Sequence, residues 1–424
     1  MSIVHLAAGA AGMYCGSCMH DNRLVAALRA QGRDAVLVPL YTPLRTDEAD
    51  VSQGRVYYGG INVYLQQISR LFRRTPWLLD RLFDSPVLLR LMSRLASTTR
   101  PDDLGEMTVS VMRGEEGPQR KELAKLIAGL RRLRPTIVHL PNLLFVGLAR
   151  PLKAELDVPV LCTLAGEDIF VDRLPEPHRQ RVLELIRSGS EHVDGFIGLT
   201  DAYAKRAVSH FGIPSERVHR LPLSIRTTDF DRSAAPPATP FTIGYLARIC
   251  EDKGIEELGR AFVRLRNDGR DCRLRIAGFL GRGDRPVWKR VQRMLCEAGA
   301  GDAFEYVGDV TREEKLQFLH TLHVLSVPAM YPESKGFYVL EALAAGVPVV
   351  EPNDGSFPEL LEATSGGLLF EARNTAALAD ALARLMDDPP LRQRLAEAGR
   401  ATVHSEHTTD KMASAAWALY TQFM

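Results

Sequence analysis

Two segments of the chain begin in the same way, with a short apolar run, then a turn that contains glycine, then a helical pattern. The first apolar run covers 3–8 and is followed by Gly9, Gly12 and Gly16, and the second covers 241–246. Short buried strands that alternate with amphipathic helices are typical of parallel sheets covered by helices on both faces. The sequence therefore predicts an α/β protein built from two Rossmann-like domains.

Further short apolar runs predict the remaining strands of both sheets. In order along the chain, these runs are 35–40, 136–140, 158–164, 195–199, 273–277, 304–307, 323–327, 347–351 and 367–370.

The segment between the two halves, 229–240, is rich in proline and small residues and is therefore predicted to be a linker. A chain of 424 residues is long enough for two cores. We expect an N-terminal domain over 1–230, a C-terminal domain over 241–405, and a last helix within 406–424 that packs back on the first domain. The parallel sheets of two such domains would face each other across a cleft, the default ligand site of this architecture.

The charge balance of the chain argues against a nucleic-acid-binding function. The sequence has 53 basic and 52 acidic residues, a formal net charge of +1, whereas nucleic-acid binders carry a basic excess. No apolar run reaches the roughly 18 residues of a membrane-spanning helix, and the N-terminus lacks a secretory signal pattern. Six cysteines are too few for a disulfide scaffold of this length. We therefore expect a soluble protein of the cytoplasm.

The strongest local motif lies in 332–350, with Glu333 in a loop after a predicted strand and Glu341 inside the helix that begins near Gly336. The first turn of a helix offers backbone N–H groups and the positive end of the helix dipole, which suit a diphosphate. The Glu341 carboxylate can accept hydrogen bonds from both hydroxyls of a ribose, and Glu333 can hold the hydroxyls of a transferred sugar. This motif therefore predicts a site for a nucleotide sugar.

A second motif follows the first strand of the C-terminal half, where Arg248 and Lys253 lie in the predicted strand-to-helix loop 247–254. Two cations facing the same cleft would stabilise the negative charge that grows on a departing nucleoside diphosphate. Taken alone, each motif is also typical of solvated surface charge. The order and separation of the two motifs within one domain favour a common site.

Together these residues resemble those of the retaining GT-B-fold glycosyltransferases of family four. Glu333 and Glu341 match the Glu-x7-Glu motif of that family. Arg248 and Lys253 match its Gly-Arg-x4-Lys-Gly pattern, with Ala247 in place of the usual glycine.

The resemblance covers 241–388 and continues more loosely into the first half. It implies transfer of a hexosyl group from a UDP-, GDP- or ADP-sugar to a hydroxyl of a sugar, small-molecule or lipid-linked acceptor, with retention of configuration. It also implies that no metal or other cofactor is needed. The residues it places at the site are Glu333, His139 and Asp168 as catalytic groups, and Arg248, Lys253, Gly336, Phe337, Glu341, Val307 and Gly12 as donor-binding groups.

The first half departs from the family pattern after the predicted strand 158–164. Many relatives carry a histidine there, but this chain has Ala165. His139 matches a family position that faces the cleft, and Asp168 is a candidate for the polar partner of the sugar in place of the missing histidine. Each of these two residues fits a capping or core role equally well.

The first glycine-bearing loop also contains a Cys-x-x-Cys motif, Cys15 to Cys18. Such a pair at a helix start can support redox chemistry. It could also supply zinc ligands, although a second ligand pair at suitable spacing is missing. Small residues packed beneath a loop are the simplest interpretation.

The acceptor is expected to bind on the side of the first half. Segment 69–100 interleaves seven arginines with apolar residues, a pattern that fits peripheral contact with an anionic membrane and a lipid acceptor, or helices that cover the sheet. The aromatic residues and glycines of 57–64 fit either part of an acceptor wall or a strand with a tight turn.

Two other functions fit the same architecture. A nicotinamide-dependent oxidoreductase is disfavoured because Gly9, Gly12 and Gly16 do not form Gly-x-Gly-x-x-Gly, and the strand 35–40 ends without an acidic residue. A non-catalytic nucleotide-sugar-binding protein is favoured by Ala165 and disfavoured by the presence of both glutamates and both cations.

Overall fold

The computed structural model describes residues 2–9, 15–68, 101–230 and 240–424. Gly12, the basic segment 69–100 and most of the predicted linker therefore lie outside the described residues. The chain divides into two compact units, which are Met1–Pro222 with Asp410–Met424 and Leu223–Thr409.

The described part of the first unit contains a six-stranded parallel sheet in the order β2-β1-β3-β4-β5-β6. Its strands are β1 (Ser2–Ala7), β2 (Asp34–Pro39), β3 (Ile137–Leu140), β4 (Val160–Leu164), β5 (Gly195–Gly198) and β6 (Val218–Arg220). Every residue of β1, β3, β4 and β5 is buried, as expected for strands covered on both faces. The sequence missed β6, because its three partly exposed residues form no apolar run.

The helices of the first unit include α1 (Gly16–Ala30), α2 (Gly60–Ile68), α3 (Pro101–Met112), α4 (Arg120–Leu133), α5 (Ala149–Leu156), α6 (Asp168–Asp172), α7 (His178–Ser190) and α8 (Asp201–Phe211). The strand interpretation of 57–64 is wrong, because α2 begins within that segment. Its first turn is closed by the Val63 N–H, which donates to the Gly59 carbonyl at 2.9 Å.

The second unit contains a six-stranded parallel sheet in the order β12-β11-β10-β7-β8-β9. Its strands are β7 (Phe241–Leu246), β8 (Cys272–Ala277), β9 (Phe304–Gly308), β10 (Val324–Leu325), β11 (Val349–Pro352) and β12 (Gly367–Phe370). The sequence predicted all six of these strands, although β10 is shorter than expected.

The helices of the second unit include α9 (Ile255–Asn267), α10 (Arg285–Glu297), α11 (Arg312–His320), α12 (Phe337–Ala344), α13 (Phe357–Thr364), α14 (Thr375–Asp387) and α15 (Pro389–Glu406). The last helix, α16 (Thr409–Tyr420), lies in the first unit from Asp410 onward. Helix α11 begins with a capping box, in which the Thr311 hydroxyl accepts from the Glu314 N–H and the Glu314 carboxylate accepts from the Thr311 N–H.

Across the residues that the structure describes, we find no helix with the length and apolar character needed to cross a membrane.

Candidate active site

The strand order of the second sheet places two loops side by side. Strand β7 lies between β8 and β10, and it pairs with β10 through Ile243 with Val324 and Gly244 with Leu325. The direction of the strand order changes between β7 and β10. In open α/β sheets ligands bind at the carboxyl ends of the strands where this change occurs. The loops that follow β7 and β10 carry the two motifs identified in the sequence.

The backbone holds these two loops together. Gly254 adopts a left-handed conformation with φ of 68°, and a Cβ atom there would lie 1.8 Å from the Pro328 carbonyl oxygen. The Met330 N–H donates to the Asp252 carbonyl at 2.8 Å. Only glycine permits this approach, which brings the neighbouring Lys253 side chain to the loop after β10.

Lys253 and Glu333 form an ion pair in which the Lys253 ammonium donates to Glu333 Oε2. The two side chains are only 18% and 8% exposed. The hydroxyls of Tyr331 and Tyr338 each donate to the same carboxylate oxygen at 3.3 Å. The Lys253 ammonium also lies 5.1 Å and 5.3 Å from the ring centroids of these tyrosines, within the range of cation–π attraction.

Electrostatic contacts keep both members of this pair charged. Burial alone lowers the pKa of Lys253, but the Glu333 carboxylate outweighs it and holds that pKa above its ordinary value. Burial alone raises the pKa of Glu333, but Lys253 outweighs it and holds that pKa below its ordinary value. Glu333 Oε1 also accepts from the backbone N–H of Ser334 at 3.1 Å and of Lys335 at 3.4 Å. The site is therefore a buried cation and a buried anion in direct contact.

The Glu333 loop leads directly into α12. Gly336 caps this helix with a left-handed φ of 77°, a conformation that glycine adopts at little cost. Phe337, the first residue of α12, is buried. The first N–H groups of a helix have no partner within it and favour anions. The predicted donor-binding residues Gly336 and Phe337 therefore lie at a helix start that adjoins the Lys253–Glu333 pair.

Glu341 lies inside α12 and is 5% exposed. Its Oε1 accepts a hydrogen bond from the ammonium of Lys315, on the first turn of α11, at 2.8 Å. Both side chains of this pair are below 10% exposed. The sequence predicted a carboxylate at 341 but missed Lys315, because 26 residues separate the two in the chain.

Arg248 has a more open environment than Lys253. Its side chain is 49% exposed, and its nearest carboxylate in the described residues, Asp252, is 4.0 Å away. Burial lowers the pKa of Arg248, but contacts with Cys250 and Asp284 outweigh it and raise that pKa further. The Arg248 carbonyl accepts from the Tyr245 hydroxyl at 2.9 Å, which fixes the backbone at this position. A charged and accessible guanidinium is available for an anion.

A third carboxyl group lies close to the Lys253–Glu333 pair. Glu351, on β11, is completely buried, and its Oε1 accepts from the Val327 N–H at 3.2 Å. Among the described residues its Oε2 has no hydrogen-bond partner. Burial holds the pKa of Glu351 well above its usual range. Sequence analysis missed this residue, although a glutamate that ends a buried apolar run is an unusual feature.

Val307 lies in β9 and is 39% exposed, beside Tyr306, whose hydroxyl donates to the Gly278 carbonyl at 2.8 Å. The Gly278 N–H in turn donates to the Gly308 carbonyl at 2.8 Å. These contacts fix the end of β9 at the loop after β8. The predicted contact of Val307 with the donor stays a prediction.

His139 and Asp168 lie in the first unit. His139 is completely buried, and its two ring nitrogens lie 2.8 Å from the hydroxyls of Tyr420 and Thr163. Asp168 is 1% exposed at the start of α6 and forms an ion pair with Arg206. These contacts explain how each side chain is held in the fold, and the predicted catalytic roles of both residues stay predictions.

Ala165, where the resemblance led us to expect a histidine, donates its N–H to Glu167 at 2.9 Å. The Glu167 carboxylate also accepts from the Leu143 N–H and the Tyr203 hydroxyl, each at 2.9 Å. Burial raises the pKa of Glu167 despite these hydrogen bonds. Glu167 thus organises the loop after β4, a role that the sequence alone did not indicate.

Two protein families match adjoining parts of the chain. The family described as Glycosyl transferases group 1 matches residues 227–402. The family described as Glycosyltransferase Family 4 matches residues 107–229. The two matches meet near the boundary between the two compact units.

Curated relatives carry glycosyltransferase names. The alpha-D-kanosaminyltransferase of Streptomyces kanamyceticus is 30% identical over 195 residues, which cover 44% of this chain and 49% of that protein. The match thus spans about half the length of this relative. The D-inositol 3-phosphate glycosyltransferase of Pseudarthrobacter chlorophenolicus is 26% identical over 378 residues, which cover 79% of this chain and 83% of that protein.

Solved structures share the fold over almost the whole chain. The sucrose-phosphate synthase of Thermosynechococcus elongatus has a TM-score of 0.72 at 17% identity, and the match covers 99% of this chain and 98% of that one. The Anabaena protein HepE in complex with UDP-glucose has a TM-score of 0.68 at 15% identity, covering 99% of this chain and 100% of that one. At these identities the likeness shows the fold.

The fold, the family matches and the relatives define a class of enzyme that takes sugars from nucleotide-sugar donors. The chain is a GT-B-fold glycosyltransferase of the group 1 type. This assignment places it among the transferases and not among the nicotinamide-dependent oxidoreductases.

Proposed function

We propose that this enzyme transfers a hexosyl group from a nucleoside-diphosphate sugar to an acceptor hydroxyl, without a metal and with retention of configuration. The observation that carries the proposal is the buried Lys253–Glu333 ion pair beside the start of α12. A buried ion pair loses much of its hydration and is a weak source of stability. The burial of these two charges is better explained by a ligand that takes the place of one partner of the pair.

The diphosphate of the donor is the ligand that fits this exchange. When it binds, Lys253 turns from Glu333 to the phosphate oxygens, with Arg248 as the second cation and the start of α12 as the source of N–H donors. The Glu333 carboxylate then accepts hydrogen bonds from hydroxyls of the transferred sugar. The two cations neutralise the charge that a metal ion would otherwise neutralise, and this supports metal independence.

Glu341 is the proposed ligand of the ribose. It lies further along α12 than the proposed phosphate site, and Lys315 fixes one of its oxygens at 2.8 Å. The nucleoside would then extend from the helix start along α12.

The proposed retention of configuration requires attack from the face that the diphosphate leaves. As the bond from the anomeric carbon to the diphosphate oxygen breaks, Lys253 and Arg248 stabilise the oxygen that leaves. This oxygen takes the proton of the acceptor hydroxyl, whose oxygen forms the new bond to the same face of the anomeric carbon.

The test is a thermal-unfolding panel of UDP, GDP, ADP and their hexose conjugates in buffer with EDTA, followed by transfer assays with the best donor. One nucleotide should stabilise the protein by about 2.7 kcal/mol at a concentration one hundred times its Kd. NMR of the product should show the anomeric configuration of the donor. A requirement for a divalent cation, or an inverted product, would overturn the corresponding part of the proposal. Nucleotide binding without hydrolysis or transfer to any acceptor would point to a non-catalytic binding protein.

A further inference from the structure

The Cys-x-x-Cys motif lies at the start of α1, where the chain enters the helix from the loop after β1. Cys15 is the N-cap residue, with an extended backbone conformation at φ of −122° and ψ of 122°. Its carbonyl accepts the first helical hydrogen bond, from the Met19 N–H at 2.9 Å. Cys18 lies on the first turn, and residues three apart on a helix are neighbours on one face.

Both residues are thiols. The Cys15 side chain is the largest influence that raises the pKa of the Cys18 thiol. Two cysteines that face each other across one helical turn are close enough to form a disulfide with little movement of the backbone.

The environments of the two sulfurs differ in the way that stepwise disulfide formation requires. Cys15 is partly exposed, whereas Cys18 is 2% exposed. The hydrogen bond to Cys15, burial and the nearby Asp21 carboxylate all raise the pKa of the Cys18 thiol. An N-cap position faces the positive end of the helix dipole, which favours a thiolate. Cys15 therefore has the position of an attacking thiolate, and Cys18 that of a protonated thiol held beside it.

We propose that Cys15 and Cys18 form a reversible intramolecular disulfide by exchange with a low-molecular-weight disulfide. The Cys15 thiolate attacks one sulfur of that disulfide, forms a mixed disulfide and releases one thiolate. Cys18 then loses its proton to solvent and attacks the Cys15 sulfur. This second attack forms the Cys15–Cys18 bond and releases the second thiolate. The two cysteines are oxidised, and the small disulfide is reduced to two thiols.

The two cysteines lie in the first unit, after the carboxyl edge of β1, and share no residue with the Lys253–Glu333 pair of the second unit. In open α/β sheets this edge carries the ligand-binding loops.

The experiment treats the full-length protein with excess oxidised glutathione at pH 7.5 and then counts thiols after denaturation. Cys15 and Cys18 should both be lost as titratable thiols, and the exposed Cys296 is scored separately because it can take a glutathione adduct of its own. Peptide mapping should find Cys15 linked to Cys18, and dithiothreitol should restore all six thiols. Retention of both Cys15 and Cys18 as thiols, or a disulfide that joins either of them to another cysteine of the chain, would overturn the proposal.

Three variants, each checked for an unchanged unfolding temperature, test the order of the steps. Cys18→Ser should accumulate a mixed disulfide of glutathione on Cys15, detected as a mass adduct on that peptide. Cys15→Ser should form neither the adduct nor the disulfide. Cys296→Ser, which changes an exposed cysteine of the second unit, should oxidise like the unchanged protein. Equal loss of thiols in Cys15→Ser and the unchanged protein would contradict the role of Cys15.

Discussion

Each unit of the molecule contains a buried polar cluster, and the two clusters are built differently. In the first unit the contacts of the cluster join His5 to Asp21 at 3.0 Å, and His139 to Tyr420 and Thr163 at 2.8 Å each. Burial, followed by the neighbouring His5 and His20, lowers the pKa of His139 well below its usual range. His139 is therefore held as a neutral ring between two hydroxyls.

The cluster of the second unit is made of charged groups. Lys253 contacts Glu333, and Lys315 contacts Glu341, and all four side chains are largely buried. Burial of a neutral imidazole that is hydrogen-bonded costs little free energy, whereas buried ions lose much of their hydration. We infer that the charged cluster of the second unit exists because a charged ligand uses it.

The largest effect is expected for Lys253→Met. Loss of the cation that faces the leaving diphosphate should lower kcat about 100- to 1,000-fold, the range seen when one stabilising donor is removed from a transition state. The measurement is the steady-state transfer rate with the donor found in the nucleotide panel. Lys289→Met, which changes an exposed lysine on α10, is the matched control and should keep the full rate. Equal transfer rates in the two variants would contradict a role of the charged cluster in transfer.

An intermediate effect is expected for Lys315→Met. Lys315 positions Glu341 and does not itself contact the donor in the proposed arrangement, so the KM for the donor should rise about tenfold, equivalent to about 1.4 kcal/mol, with a smaller change in kcat. Lys315→Arg should restore most of the affinity, because it keeps the positive charge. A fall in kcat with an unchanged KM would show that Lys315 does not act through ribose binding.

The smallest effect is expected for Glu351→Gln, and it concerns stability. The folded-state pKa of Glu351 is raised, so the native protein binds more protons than the unfolded chain at pH values above the ordinary glutamate pKa. Its ionisation therefore makes the unfolding free energy fall as the pH rises, by at most about 1.4 kcal/mol per pH unit. Glutamine keeps the acceptor for Val327 and removes this dependence.

Urea unfolding at several values between pH 5 and pH 8 tests this sign. The stability of Glu351→Gln relative to the unchanged protein should increase with pH. Glu362→Gln, which alters an exposed glutamate on α13, should show no such trend. A constant difference between the Glu351 variant and the unchanged protein across the range would mean that Glu351 ionises as readily in the folded state as in the unfolded chain.

The sequence predicted the parts of this molecule that depend on local pattern. The strands 241–246 and 367–370 have the predicted bounds, because each is a short run rich in apolar residues. The position of Glu341 inside a helix that begins near Gly336 was also confirmed, since glycine is common at the ends of helices. Hydrophobic periodicity and glycine placement are properties of neighbouring residues, so one sequence is enough to show them.

Contacts between distant segments could not be predicted in the same way. Lys315 on α11 contacts Glu341 on α12 across 26 positions of the chain, and Tyr420 contacts His139 across 281 positions. Neither the residue type nor the sequence spacing of Lys315 or Tyr420 indicates these contacts. Glu351 was missed for a related reason, because the cost of a buried carboxyl group is visible only when its surroundings are known.

The close approach of Gly254 to Pro328 limits which residue can occupy position 254. Because a Cβ at position 254 would lie 1.8 Å from the Pro328 oxygen, the main chain fixes the separation between the lysine and the glutamate segments. In the proposed donor site, this junction sets the distance from the Lys253 ammonium to the phosphates. A methyl group at residue 254 would change that distance, because it would force the two segments apart.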